Sequence, residues 1–158
     1  MAVKYSTGVI SKLFGRNGVD TGSDGLRGIF LNGVIKFYTG AQPGSADDPI
    51  TGTFLGDVTV LGLPFTEGSA TNGLNFGAPS LRTVAKSVTE IWQFKGAAAG
   101  TIGWFRFQAN GVDNDALSTT LPRIDGSVGI TSGDLRLTSV TSAVNTVITI
   151  DSFTITAA

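Results

Sequence analysis

Asp113 and Asp115, two apart in "GVDND", and the adjacent Asp47 and Asp48 in "SADDP" are the nearest this chain comes to a reactive motif. A D-x-D spacing opens a calcium loop, where oxygens converge on one hard cation. Here the later glycine and the terminal bidentate glutamate are missing. Aspartates in such loops more commonly form turns, and both pairs are read that way. A glycosidase pair needs two carboxyls at a set separation, but among 12 acidic residues some pair always qualifies, so none is singled out.

The residue types that usually do acid–base and metal chemistry are missing. The chain has no histidine and no cysteine. Ser-His-Asp and Cys-His catalysis, His-ligated metals, disulfides and thiolate sites are therefore excluded. The remaining ionisable side chains titrate, when unperturbed, near 4 or above about 10. No catalytic, cofactor-binding or metal-ligating residue is assigned, and the expectation is a protein that is not an enzyme and carries no cofactor.

The glycines of "FGRNGVDTGSDGLRGIF" pose a separate question. A phosphate loop needs G-x-x-x-x-G-K-[ST] between a strand and a helix, and a dinucleotide fingerprint needs G-x-G-x-x-G; neither spacing occurs. The preferred reading is a tether, with Arg16, Asp20, Asp24 and Arg27 solvated or paired with a neighbouring subunit. Residues 1–25 are expected to form an N-terminal extended arm, anchored by Val9, Ile10, Leu13 and Phe14, with Arg16 and Arg27 as further candidate interface residues.

Trp92, Trp104 and the phenylalanines around them form an aromatic centre. Exposed tryptophans can serve as stacking platforms for sugars, but adjacent strands also bury them. Trp104 falls on the face of Arg106, opposite Phe105 and Phe107, so partial exposure is expected; core or intersubunit packing is the preferred role.

These residues must be positioned by strands. "GVIKFY" alternates Ile35 and Phe37 against Val34, Lys36 and Tyr38. "TGTFLGDVTVLG" sets Phe54, Val58 and Val60 on one face. "SVTEIWQFK" groups Val88, Trp92 and Phe94, with Glu90 as an exception. "GWFRFQAN", "DLRLTSV" and "NTVITIDSFTIT" also alternate, the last slipping phase at Asp151–Ser152, where a bulge or bend is expected. Period-two runs rich in β-branched and aromatic residues predict strands. "KGAAAGT" reads as a tight hairpin between two aromatic strands. Helix signals are weak: "YSTGVISKLF" allows one or two turns, and "PSLRTVAKSVTEI" could begin helically, with its second half read as strand. The prediction is an all-β chain, with residues 26–158 forming a single β-sandwich or jelly-roll-like domain behind the arm. The core is expected to hold Phe54, Val58, Trp92, Phe94, Phe105, Phe107, Leu135, Leu137, Ile148, Ile150, Phe153 and Ile155.

The 158 residues are 41% apolar but only 15% charged, where about 25% is usual. The net charge of −1 gives no pull on nucleic acid or membrane, and neither is expected as a partner. No apolar run is long enough for a spanning helix, and "MAVKYSTGVISKLF" lacks the features of a signal peptide. A surface short of charge suits a chain partly covered by neighbours.

"LRGIFLNGVIKFYTGAQPGSADDPITGTFLGDVTV" resembles a family of small tailed-bacteriophage virion proteins, with the pattern L-x-G-[IV]-x-x-x-G-V-[IL]-x-[IF]-Y-[TS]-G-x-Q-P-x-[ST]-A-D. Similar features follow in "GTFLGDV", in "GWFRF" at Gly103–Phe107, in "RIDGSVG" at Arg123–Gly129 and in "FTIT" at Phe153–Thr156. The resemblance spans most of residues 26–156 and implies a virion structural protein without catalytic residues. The expected role is a capsid decoration, or cement, protein on the capsid surface. Its partners would be the major capsid protein and itself, as a homo-oligomer (trimer or dimer). The alternatives are a tail, collar or fibre-base component, or a glycan-binding module that would need Trp104 or Tyr38 exposed.

Overall fold

The computed structural model describes residues 3–13 and 25–156. The chain is all-β and sandwich-like. Its main sheet is built on β2 (Val34–Thr39), β3 (Phe54–Val60), β5 (Trp92–Gly96) and β6 (Gly100–Gln108). In space these four run β6-β2-β3-β5, so β6 returns to lie beside β2 in a Greek-key arrangement. β7 (Arg123–Gly129) and then β1 (Lys4–Tyr5) extend the sheet beyond β6, and β10 (Val147–Ile150) extends it beyond β5. The short strands β8 (Leu135–Arg136) and β9 (Thr141–Ser142) pair with β7 and β6. A second layer holds β4 (Thr83–Ala85) against β11 (Thr154–Thr156). Two short helices, α1 (Thr7–Leu13) and α2 (Gly25–Ile29), complete the described elements.

The expected alternation sets the inner face. Ile35 pairs with both Val58 and Phe107, Phe37 with Phe105, and Phe94 with Val58 and Ile148, so one row after another delivers apolar side chains to the same side. All are buried. Gly126 lies opposite Phe105, and a side chain there would run into the Phe105 ring, so this strand position must stay empty for the aromatic to lie down. Phe153 sits among Phe76, Trp92, Phe105 and Phe107, with ring centroids 5.5–6.0 Å away. Aromatic pairs at such spacings add to the stabilisation from buried area. Phe153 follows the phase slip at Asp151–Ser152, which is where the chain leaves β10 in the main sheet to enter β11 in the small one.

Four expectations are corrected. Phe54 is 36% exposed on the opposite face, beside Tyr38, while Leu55 is in the core. The cause is a register shift: Phe37 pairs with Gly56 but Tyr38 pairs with Phe54, leaving Leu55 as the unopposed extra residue. Val88 is 97% exposed, because Glu90 N–H donates to the Ser87 carbonyl in a turn and the strand starts only at Trp92. "KGAAAGT" is not a hairpin: β5 and β6 are separated by β3 and β2, and residues 97–99 cross the sheet end, where Ala97 and Ala98 N–H groups donate to the Leu55 carbonyl. Finally, "PSLRTVAKSVTEI" starts not as a helix but as a turn leading into β4.

Phe107→Ala should cost about 3–5 kcal/mol, as expected of a buried aromatic truncation. Phe54→Ala should cost no more than about 1.5 kcal/mol, because its ring stays partly in water. Chemical denaturation of both variants checks the ordering; equal losses would place Phe54 in the core after all.

Candidate functional site

The outer face of the main sheet is also covered over β6 and β7, and there by polar groups. One cross-strand row reads Lys4, Asp125, Arg106, Lys36, Asp57 and Lys95, from β1 to β5. On an open sheet such a row would be solvated. Here Arg106, Arg123 and Asp125 have no exposure. Two loops lie over them: residues 40–53 between β2 and β3, and 109–122 between β6 and β7. Their acidic motifs are what meet the buried cations.

Arg106 forms a two-pronged pair with Asp125, Nε donating to Oδ1 and Nη2 to Oδ2, both at 2.8 Å. Nη2 also donates to the Asp48 carbonyl at 3.0 Å, and Nη1 lies 3.5 Å from Asp115 Oδ1. The guanidinium carbon sits 5.6 Å from the Trp104 ring centroid, within cation–π range. Trp104 stacks on Tyr38 at 4.5 Å and donates Nε1–H to the Thr51 carbonyl. Two residues before Asp125 on β7, Arg123 Nε donates to Asp113 Oδ2 at 2.7 Å and its Nη2 to Oδ1.

Asp115 gathers the rest. It accepts from Tyr38 Oη at 3.1 Å, Gln108 Nε2 at 2.6 Å and Lys36 Nζ at 3.5 Å. The loops are also tied to each other, Ile50 N–H donating to the Asp115 carbonyl and Ser118 N–H to that of Asp47. Asp113 and Asp115 are thus bonded to cations and donors of the sheet, and no cluster of three or more candidate metal ligands occurs among the described residues. Asp47 reaches the other way, accepting from Thr7 N–H at the start of α1, while Asp48 closes its own turn on Ser45 N–H.

Burial is the largest single influence on Asp57, Asp113, Asp125 and Tyr38. It pushes the Asp125 carboxyl up, with the Arg106 hydrogen bonds pulling back. It also pushes Asp57 up; Lys36 offsets that only in part, and Asp57 Oδ1 is buried without a partner. For Asp113 burial is outweighed by the Arg123 hydrogen bonds and the Asp115 N–H, and the net direction is down. Tyr38 is held far above the ordinary phenol range by burial, then by the neighbouring Asp115 carboxylate.

The interface residues proposed for the arm are dispersed. β1 pairs with β7, and α1 packs on β7 and α2, so residues 4–13 are docked on the body rather than extended from it. Val9 is fully buried in the core of its own chain. Gly8 faces the Thr120 and Leu121 carbonyls so closely that a side chain would collide with both. Ser6 Oγ accepts from the N–H groups of Val9 and Arg123, tying the helix start to β7. Ile10 and Leu13 are about two-fifths exposed, and Arg27 is exposed on α2. Phe14, Arg16 and the glycine-rich segment 14–24 lie outside the described residues.

Two surface hollows stand out among the described residues. An open groove of about 700 Å³ is lined by Arg27, Leu31, Asn75, Lys86, Val88 and Glu90. Glu90 is engaged within the fold, accepting from Asn75 N–H, Asn75 Nδ2 and Trp92 Nε1, which explains the exception in the strand pattern. A smaller hollow of about 240 Å³ lies beside Phe54, Asp57, Leu63 and Lys95. The sequence reading missed Arg106, Arg123 and Asp125; the visible signal was Arg106 between Phe105 and Phe107, and Arg123 and Asp125 on either side of Ile124. Trp104 and Tyr38 are fully buried, so neither offers a sugar-stacking platform. No family model, curated protein or solved structure matches the chain.

The position of Tyr38 has a pH consequence. Its folded pKa lies above the unfolded value near 10. The stability linked to its proton is therefore complete below about pH 10 and is lost as pH rises beyond it, because only the unfolded chain releases the proton there. Unfolding free energies measured across this range should fall less steeply for Tyr38→Phe than for the parent. Identical slopes would mean that the phenol is hydrated in the folded protein.

Proposed function

We propose that this protein is a bacteriophage virion structural component, a capsid decoration protein that binds the major capsid protein lattice and strengthens it. The observation that carries this reading is the character of the surface. Only 15% of residues are charged, and several of those charges are withdrawn into the polar face of the sheet. Large apolar side chains stand outside: Leu31, Leu61, Leu81, Val88 and Ile91 are all at least half exposed. Exposed apolar surface with few charges suits contact with another protein. The resemblance of most of residues 26–156 to small virion proteins supports the same reading. The ionisable residues favour attachment over catalysis, since the acidic motifs serve as ties between loops and sheet.

Attachment through the first 25 residues alone fits the packing poorly. Removing them would delete β1, the Ser6 cap and buried Val9, so a truncated chain would lose stability along with any contact it made. The exposed apolar side chains of the folded body are the better contact surface.

Purified protein should therefore co-sediment with particles that lack it, and binding should persist at 1 M salt, where charge–charge attraction is screened within about 3 Å. Leu81→Asp and Val88→Asp, at fully exposed positions, should weaken binding without lowering stability. Sedimentation with tails but not with heads would replace the head reading by a tail reading. Failure to bind either would remove the virion assignment.

A further inference from the structure

The two ends of the main sheet are finished differently. At one end β1 has two residues and carries Lys4. At the other, β10 is Val-Ile-Thr-Ile, with no charge, no proline and no irregularity in its pairing with β5. Strand edges are normally blunted by such devices, because unpaired N–H and C=O groups invite another strand.

The direction of the free groups follows from the register. Antiparallel partners alternate between hydrogen-bonded and non-hydrogen-bonded pairs. Gly96 N–H donates to the Thr146 carbonyl, Ala97 N–H to Leu55 and Leu61 N–H to Ile91. On β5, Phe94 and Trp92 therefore face β10, bonding Ile148 and Ile150, while Lys95 and Gln93 face β3. The N–H and C=O groups of Val147 and Thr149 consequently point away from the sheet. Both residues are exposed, Val147 at 58%, and neither backbone makes a bond beyond the ladder among the described residues.

The geometry points to a second copy of this chain as the occupant of this edge, with two β10 strands antiparallel about a two-fold axis through Ile148. Val147 of one copy then faces Thr149 of the other, and each such pair exchanges two backbone hydrogen bonds. Neighbouring registers are worse. One residue pairing further toward the N-terminus would recruit Asn145, which has φ +66° and is not extended. One toward the C-terminus would recruit Asp151, beyond the end of β10 where the chain turns away. Only the register centred on Ile148 uses strand residues alone. It also sets the row Lys95, Val147, Thr149, Gln93 across the junction, with no like charges opposed. This dimer is independent of the virion assignment.

The chain has no native cysteine, so introduced thiols report on the register alone. Facing hydrogen-bonded partners lie about 5.5 Å apart between Cα atoms, within disulfide reach. Under mild oxidation V147C/T149C should form a covalent dimer at least ten times faster than Val147→Cys or Thr149→Cys alone, whose thiols stand two residues out of step. Sedimentation equilibrium of the unmodified protein should show a dimer, with association at least ten-fold weaker in Thr149→Lys, while circular dichroism reports an unchanged fold. A monomer at the highest soluble concentration would overturn the proposal. So would equal cross-linking rates in all three cysteine variants, or a dimer indifferent to Thr149→Lys.

Discussion

A guanidinium removed from water must have its charge met, and Arg106 imposes that requirement on everything around it. It sits mid-strand, fully buried, between two aromatic residues that face the opposite side. Breaking such a pair by removing one partner costs about 3–5 kcal/mol, far more than an exposed ion pair contributes. Asp125 on the next strand supplies the first counter-charge; Asp115 and the Asp48 carbonyl supply the rest. Each of these comes from a segment that must therefore stay in place. The two long loops are fixed over the sheet through the needs of Arg106 and Arg123, rather than by apolar packing alone.

This gives the main sheet two different interiors. The inner one is apolar and closed by the small sheet, with Phe153 and Phe76 bridging the layers. The outer one is ionic and closed by loops. Apolar burial is tolerant of direction, whereas the Arg–Asp contacts require defined geometry. The ionic face is thus the part that specifies where the loops lie. It also accounts for the scarcity of free charge outside: the aspartates that looked like a nascent metal or acid–base site are engaged within the fold.

Strand positions and the inner face were largely legible, because alternation over 34–38, 92–94, 104–108 and 147–150 follows directly from the pleat. The break at Asp151–Ser152 was legible too, though not that it separates two sheets. Phe54 was misassigned because a one-residue bulge reverses every side chain beyond it, and no local pattern announces a bulge at Leu55. The crossover at residues 97–99 was invisible, since three alanines between glycines suit a hairpin equally well. The ionic face was half visible. Arg106 and Asp125 could be read as facing outward, but only the loops' return over the sheet makes that direction an interior. Val9 misled because glycines nearby suggested a loose arm, whereas Gly8 permits close docking of α1 on the body.

The claim that the ionic face is a dry interior, not a solvated surface, is tested most directly by nuclear magnetic resonance of the arginine Nε–H protons at neutral pH. Arg106 and Arg123 each direct Nε–H at a buried carboxylate. Two sharp Nε–H resonances are expected that exchange slowly with water and show contacts to Asp125 and Asp113 respectively. Rapid exchange of every arginine side-chain proton would contradict it, because the guanidinium groups would then be hydrated and the loops would not be held by them.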